Sequence, residues 1–182
     1  MQDSFTGEHR ASRRTDRKDF EESLHRDLLD DLMGVAAEKG YDTKGEMQEA
    51  KVVWDLGAGA GTGSVVLAEL CPEAEIWAVD PHQEVVTEVK KLERFHQSKE
   101  PMQEFVRKHP KNADVIYMAS LKNPELRPDD YQALFDALEP GGIVIETGDT
   151  KLNKEEMAKR FRKPIVDWVG TMSTANRIWM KI

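Results

Sequence analysis

The chain has 182 residues, 39% hydrophobic and 33% charged, with a formal net charge of −8. That length suits one self-sufficient core rather than several domains, and no apolar run approaches the ~18 residues of a membrane span. A single cysteine, Cys71, excludes an internal disulfide and a cysteine-based zinc cluster.

The opening residues 1–18 are polar and contain Gly, Ser and Thr, and are expected to form a loose arm. Apolar residues then recur at Leu24, Leu28, Leu29, Leu32, Val35 and Ala36, the spacing of a helix with one buried stripe, and Gly40 is a plausible stop. Tyr41–Gly45 reads as a linker. Residues 19–50 are therefore expected to be a helical lid and 51–182 the main domain.

Lys51–Leu56 predicts a strand, followed by a glycine cluster and a helix over Ser64–Leu70. Ala74–Val79 predicts a second strand, with a helix from Gln83 to His96 after it. Between that helix and the next strand, Ala113–Ala119, there is room only for a short strand near Glu104–Val106. A helix over Asp129–Leu138, a turn at Pro140-Gly141-Gly142, a strand over Ile143–Glu146 and a helix over Lys154–Arg162 complete the alternation. Ile165–Val169 and Arg177–Ile182 are separated only by Gly170–Asn176 and read as an antiparallel pair. This order predicts an α/β fold: a Rossmann-like doubly wound sheet, mostly parallel with an antiparallel C-terminal strand, plus the N-terminal helix.

The informative segment is Asp55-Leu56-Gly57-Ala58-Gly59-Ala60-Gly61-Thr62-Gly63, a strand end running straight into a glycine-rich turn and a helix. A dinucleotide fingerprint needs G-x-G-x-x-G or G-x-G-x-x-A. Counted from Gly57 its last position is Thr62, and from Gly59 it is Ser64, so neither register fits. The glycines instead stand at every second position behind an acid. A second apolar strand ends in Asp80, about twenty-five residues after Asp55, where a carboxylate can accept hydrogen bonds from ribose hydroxyls.

These segments resemble the motifs of the class I S-adenosylmethionine-dependent methyltransferases, and Leu138-Glu139-Pro140-Gly141-Gly142 resembles that family's turn into its fifth strand. The resemblance implies S-adenosylmethionine as cofactor. Asp55, Gly57, Ala58, Gly59, Gly61 and Thr62 would hold its amino-acid and sugar portions, Asp80 the ribose, and Pro81 and His82 would border the adenine. Ser120, after the fourth strand, would open the acceptor pocket under the helical lid.

The sequence also departs from the family. No acidic pair follows the third strand to hold the adenine, and Asn123-Pro124-Glu125 comes too late for the motif of adenine and amide N-methyltransferases. No catalytic residue is identified and no metal is expected, because no histidine pair has ligand spacing. His25 reads as a solvated helix residue, His96 and His109 as surface residues, and Trp168 and Trp179 as packing. The expected activity is methyl transfer to an unidentified small molecule, protein or RNA, in the cytoplasm. The alternatives are a catalytically silent cofactor-binding subunit and an enzyme that transfers another group, such as aminopropyl. A protein partner or a homodimer stays open, no membrane is involved, and the acidic balance disfavours nucleic acid without excluding it.

Overall fold

The computed structural model describes residues 6–119, 121, 125–148, 150, 152–161, 164–169 and 175–182. In chain order the elements are α1 (Thr6–Glu38), α2 (Thr43–Glu49), β1 (Val52–Leu56), α3 (Thr62–Leu70), β2 (Glu75–Val79), β3 (Phe95–Ser98), α4 (Met102–Lys108), β4 (Ala113–Ala119), α5 (Pro128–Ala137), β5 (Leu138–Thr147), α6 (Lys154–Phe161), β6 (Val166–Val169) and β7 (Ala175–Met180). They build one seven-stranded sheet in the order β3-β2-β1-β4-β5-β7-β6. The first five strands pair in parallel, and β7 runs antiparallel between β5 and β6. The Rossmann-like expectation holds, including the antiparallel edge. Among the described residues no helix is long and apolar enough to cross a membrane.

A parallel sheet must be covered on both faces, and the two-residue period of the strands does the sorting. Val53, Val115, Tyr117, Ile143 and Ile145 pack with Leu29, Leu32, Val66 and Leu67 from α1 and α3. Their neighbours Trp54, Ile116, Met118 and Val144 pack on the opposite face with Phe105, Leu134 and Phe161 from α4, α5 and α6. Trp179, on β7, is fully buried in this second layer, as its packing role predicts.

Several expectations are corrected. The first concerns the loose arm, because α1 already runs from Thr6. No proline interrupts it, and Arg17–Glu21 and Lys18–Glu22 supply i,i+4 ion pairs along it. The stop at Gly40 is as read: its φ is +84°, its N–H reaches Ala37 O and the Tyr41 N–H reaches Ala36 O, closing a Schellman motif. The second is the linker 41–45, which is instead the start of α2. Asp42 Oδ1 accepts from Gly45 N at 3.0 Å and caps that helix.

The third lies after β2. Instead of a helix over 83–96 there is irregular chain, one turn of 3₁₀ helix at Glu88–Lys91, and then β3, whose His96 pairs with Trp77. Val85 and Val89 are buried against the first core layer, but a Val85/Val89 pair alone does not make an amphipathic helix. His96 sits at the sheet edge, where its ring stacks on Trp77 with centroids 4.5 Å apart and its Nε2 meets Glu75. The region expected to hold a strand, Glu104–Val106, lies inside α4. Similarly, the Pro140-Gly141-Gly142 turn is absorbed into β5 as an irregularity, with Gly141 at φ +85° and the register slipping between Ala113 and Val115.

Lys39 Nζ, just past α1, donates to Ile165 O at 3.2 Å, and α1 also packs against β6 and β7.

Candidate active site

The carboxyl ends of β1, β4 and β5 converge under α1, and the glycine loop rises between them. In open α/β sheets this edge, where the strand order reverses, is where ligands bind. Here β1 has β2 on one side and β4 on the other, so the loop after β1 stands at that switch point. The result is a cleft of about 1180 Å³, with Asp55, Gly57, Gly59 and Thr62 along the sheet side and Glu21 and His25 of α1 facing them. Small-molecule sites typically measure ~300–1,000 Å³, so there is room for a cofactor and part of a second reactant.

The loop is pinned before it reaches the cleft. Gly57 N donates to Val79 O at 2.7 Å and Gly61 N to Ala58 O at 2.8 Å. The segment after β2 straps the outside, where Val86 N donates to Ala60 O and Thr87 Oγ1 to Gly61 O. Two glycines show what the spacing is for. At Gly61, with φ +89°, a Cβ would come within 2.5 Å of Val85 Cγ1, so this position is glycine for packing and faces away from the cleft. At Gly59, with φ +54°, the nearest atom to a Cβ is Gln83 Oε1 at 3.6 Å, so the backbone here is open to a close-lying ligand.

Asp55 is 2% exposed. Its Oδ2 accepts from Ser64 Oγ at 2.6 Å, on the first turn of α3. Burial pushes its pKa up to about 6, with the hydrogen bonds from Ser64 opposing and the nearby charge of Asp80 adding to the rise. Among the described residues no cationic side chain is paired with it. Gly63 completes the arrangement, since a Cβ there would lie 3.2 Å from Asp55 Oδ2 and 3.1 Å from Tyr117 Cε1.

Asp80 is placed differently. Its Oδ2 accepts from Gly59 N at 3.0 Å, and its Oδ1 accepts from His82 N and Gln83 N at 2.8 Å each. It therefore ties the end of β2 to the glycine loop, and Pro81 and His82 beside it are exposed. Ser120 and the Asn123-Pro124 pair lie outside the described residues. With β3 at Phe95–Ser98, the acid that follows it is Glu100, whose Oε2 accepts from Lys108 Nζ at 2.8 Å.

His25 corrects the reading of a solvated helix residue. It is half-buried on the cleft wall, and its Nδ1 lies 2.7 Å from the hydroxyl of Tyr117 on β4. That hydroxyl lies 3.2 Å from Thr147 Oγ1 on β5, which also borders the cleft. Burial lowers the His25 pKa and the charge of Glu21 partly offsets it. The sequence signal was available: His25 sits between Leu24 and Leu28-Leu29, beside the buried stripe rather than opposite it.

No protein-family model and no curated protein matches the sequence. Solved structures do. The chain is similar to N-methyltransferase NodS from Bradyrhizobium japonicum WM9, with a TM-score of 0.60 at 11% identity over 89% of this chain and 96% of that one. It is similar to the antibiotic-resistance methyltransferase Kmr, with a TM-score of 0.56 at 17% identity over 78% and 92%. Spermidine synthase from Thermotoga maritima is also similar, with a TM-score of 0.60 at 18% identity. The fold is that of the class I methyltransferases. Spermidine synthases share it, and the match covers 75% of this chain but 55% of the Thermotoga enzyme. At these identities the likeness is one of fold.

Proposed function

We propose that this methyltransferase-fold chain binds S-adenosylmethionine across the glycine loop and transfers its methyl group to an acceptor entering under α1. The observation that carries the reading is Asp55: a nearly fully buried carboxylate on the cleft wall, bonded to Ser64 and pushed up to about 6 by burial. The cofactor's ammonium group fits that demand for counter-charge, whereas a pyrophosphate anion would be repelled. The open backbone at Gly59 suits a nucleoside lying against the loop. In this reading Asp80 reaches the ribose, and Pro81 and His82 border the adenine.

Bound there, the cofactor supplies an electrophilic methyl on a sulfonium. The protein's part is positioning and exclusion of water. Asp55 fixes the amino-acid end, the strapped loop fixes the sugar, and α1 covers the cleft with Leu24 and Leu28. Glu21 and His25 give that cover a polar face toward the acceptor.

A second reading, a cofactor-binding subunit without turnover, draws on Asp80, whose oxygens already accept three backbone N–H groups. One experiment tests the first reading and separates the two. Calorimetric titration with S-adenosylmethionine and S-adenosylhomocysteine is expected to give micromolar binding of both, with none for NADH. Labelled-methyl transfer into cell extract then marks an enzyme. Binding of neither adenosyl compound would overturn both readings.

A further inference from the structure

The cleft has two ends. One is the glycine loop with Asp55. The other is formed by Ala119 at the end of β4, Thr147 at the end of β5, and the α1 face bearing Glu21 and His25. This second end holds a chain of hydrogen-bonding groups, from His25 Nδ1 through the Tyr117 hydroxyl to Thr147 Oγ1. Tyr117 is fully buried, and burial raises its pKa, so the hydroxyl stays protonated and acts only as a relay point. With Nδ1 spent on the sheet side, Nε2 is the ring nitrogen left for the cleft.

The chain can run in two directions. If Thr147 donates to Tyr117 and Tyr117 donates to His25, then Nε2 carries the hydrogen and can only donate. If His25 Nδ1–H donates to Tyr117 and Tyr117 donates to Thr147, then Nε2 carries a lone pair. The partner of one ring nitrogen sets the state of the other. Glu21, one turn earlier on α1, raises the His25 pKa through its charge and so favours an imidazolium once formed.

We propose that His25 is the catalytic proton acceptor for an acceptor molecule bearing an N–H or O–H, bound between α1 and the ends of β4 and β5. The proposal rests on the cofactor reading above. In the step, the acceptor's lone pair forms the new X–CH₃ bond while its proton passes to Nε2. The S–CH₃ bond of the sulfonium breaks, and the sulfur keeps the electron pair. The products are the methylated acceptor, S-adenosylhomocysteine and a His25 imidazolium that returns its proton to water. A thioether acceptor, which has no proton to lose, would have no use for this chain of groups.

The test uses the whole protein with ¹⁵N-labelled histidine, free and saturated with S-adenosylhomocysteine. Long-range ¹H–¹⁵N correlation at neutral pH is expected to show His25 uncharged with the hydrogen on Nδ1. Tyr117→Phe should move the population toward Nε2–H. His25→Gln should bind S-adenosylhomocysteine within about threefold of wild type, yet lose about 100-fold or more in labelled-methyl transfer into deproteinised cell extract. Added imidazole should restore part of that loss, which a merely structural role would not allow. An Nε2–H imidazole in the loaded protein overturns the proposal, whether or not the extract yields a labelled product. So does wild-type turnover by His25→Gln, or a loss of more than tenfold in its S-adenosylhomocysteine affinity. Failure of wild type to bind S-adenosylhomocysteine overturns the cofactor reading and the proposal with it, whereas binding beside an Nε2–H imidazole removes the proposal alone.

Discussion

Ser64 Oγ donates a 2.6 Å hydrogen bond to Asp55 Oδ2 where neither side chain has appreciable contact with water. The bond spans the glycine loop and makes α3 the support of the acid on β1. It opposes the desolvation of Asp55 without cancelling it, and the pKa stays at about 6.

That residual shift sets a pH dependence. The folded pKa lies above the ordinary value of 3.8, so the folded state binds the proton more tightly than the unfolded chain. Above pH 6 the buried charge costs about 3 kcal/mol, and the cost is relieved as pH falls from 6 toward 4. Thermal unfolding of the free protein, scanned from pH 7 to 5, is expected to gain stability relative to Asp55→Asn, which lacks this slope. Asp55→Asn should be more stable than wild type at pH 7 and should bind S-adenosylmethionine at least tenfold more weakly.

Ser64→Ala should push the Asp55 pKa higher still. Removing the hydroxyl leaves a buried carboxylate with less compensation, a loss of about 1–3 kcal/mol at pH 7. Chemical denaturation at pH 7 and pH 5 checks this, because the deficit should shrink at the lower pH.

The glycines of the loop are expected to separate into two kinds. Gly61→Ala meets both a left-handed φ and Val85 at 2.5 Å, so it should cost more than the ~1–2 kcal/mol of the backbone conformation alone. Gly59→Ala has only the backbone penalty, with open space beyond, and should lose proportionately more cofactor affinity than stability. Denaturation midpoints beside calorimetric affinities measure the contrast.

Asp80→Ala should fail on both counts. Losing a cap on Gly59, His82 and Gln83 costs about 1 kcal/mol of stability, and losing the ribose acceptor costs about 1–3 kcal/mol of binding. Asp80→Asn keeps one carbonyl acceptor and should retain more stability than Ala. Wild-type affinity in a folded Asp80→Ala protein would remove the ribose assignment.

The strands were legible where burial forces an unbroken apolar run. Ala113–Ala119 is predicted and observed with the same ends, because both of its faces are covered. β3 was illegible for the opposite reason. Three of the four residues in Phe-His-Gln-Ser are polar, all four are half-buried, and its place is set by pairing with β2, which no apolar run announces. The glycine loop was readable because close backbone approach leaves a trace in residue type. Asp55 is conspicuous as an acid at the end of an apolar strand. The place of His25 beside the buried stripe marks it as partly covered, but its contact with Tyr117, ninety-two positions away, leaves no local pattern.

The tie between Lys39 and Ile165 spans 126 positions, and α1 rests on the hairpin of β6 and β7. A parallel sheet already demands distant pairings, and this tie adds one of the most distant in the molecule. Chain-closure entropy must be lost before such contacts repay it, which slows folding. The seat of the roofing helix on β6 and β7 is therefore expected to form late, and refolding yield is expected to fall as protein concentration rises, because chains without that seat leave part of α1 open to one another.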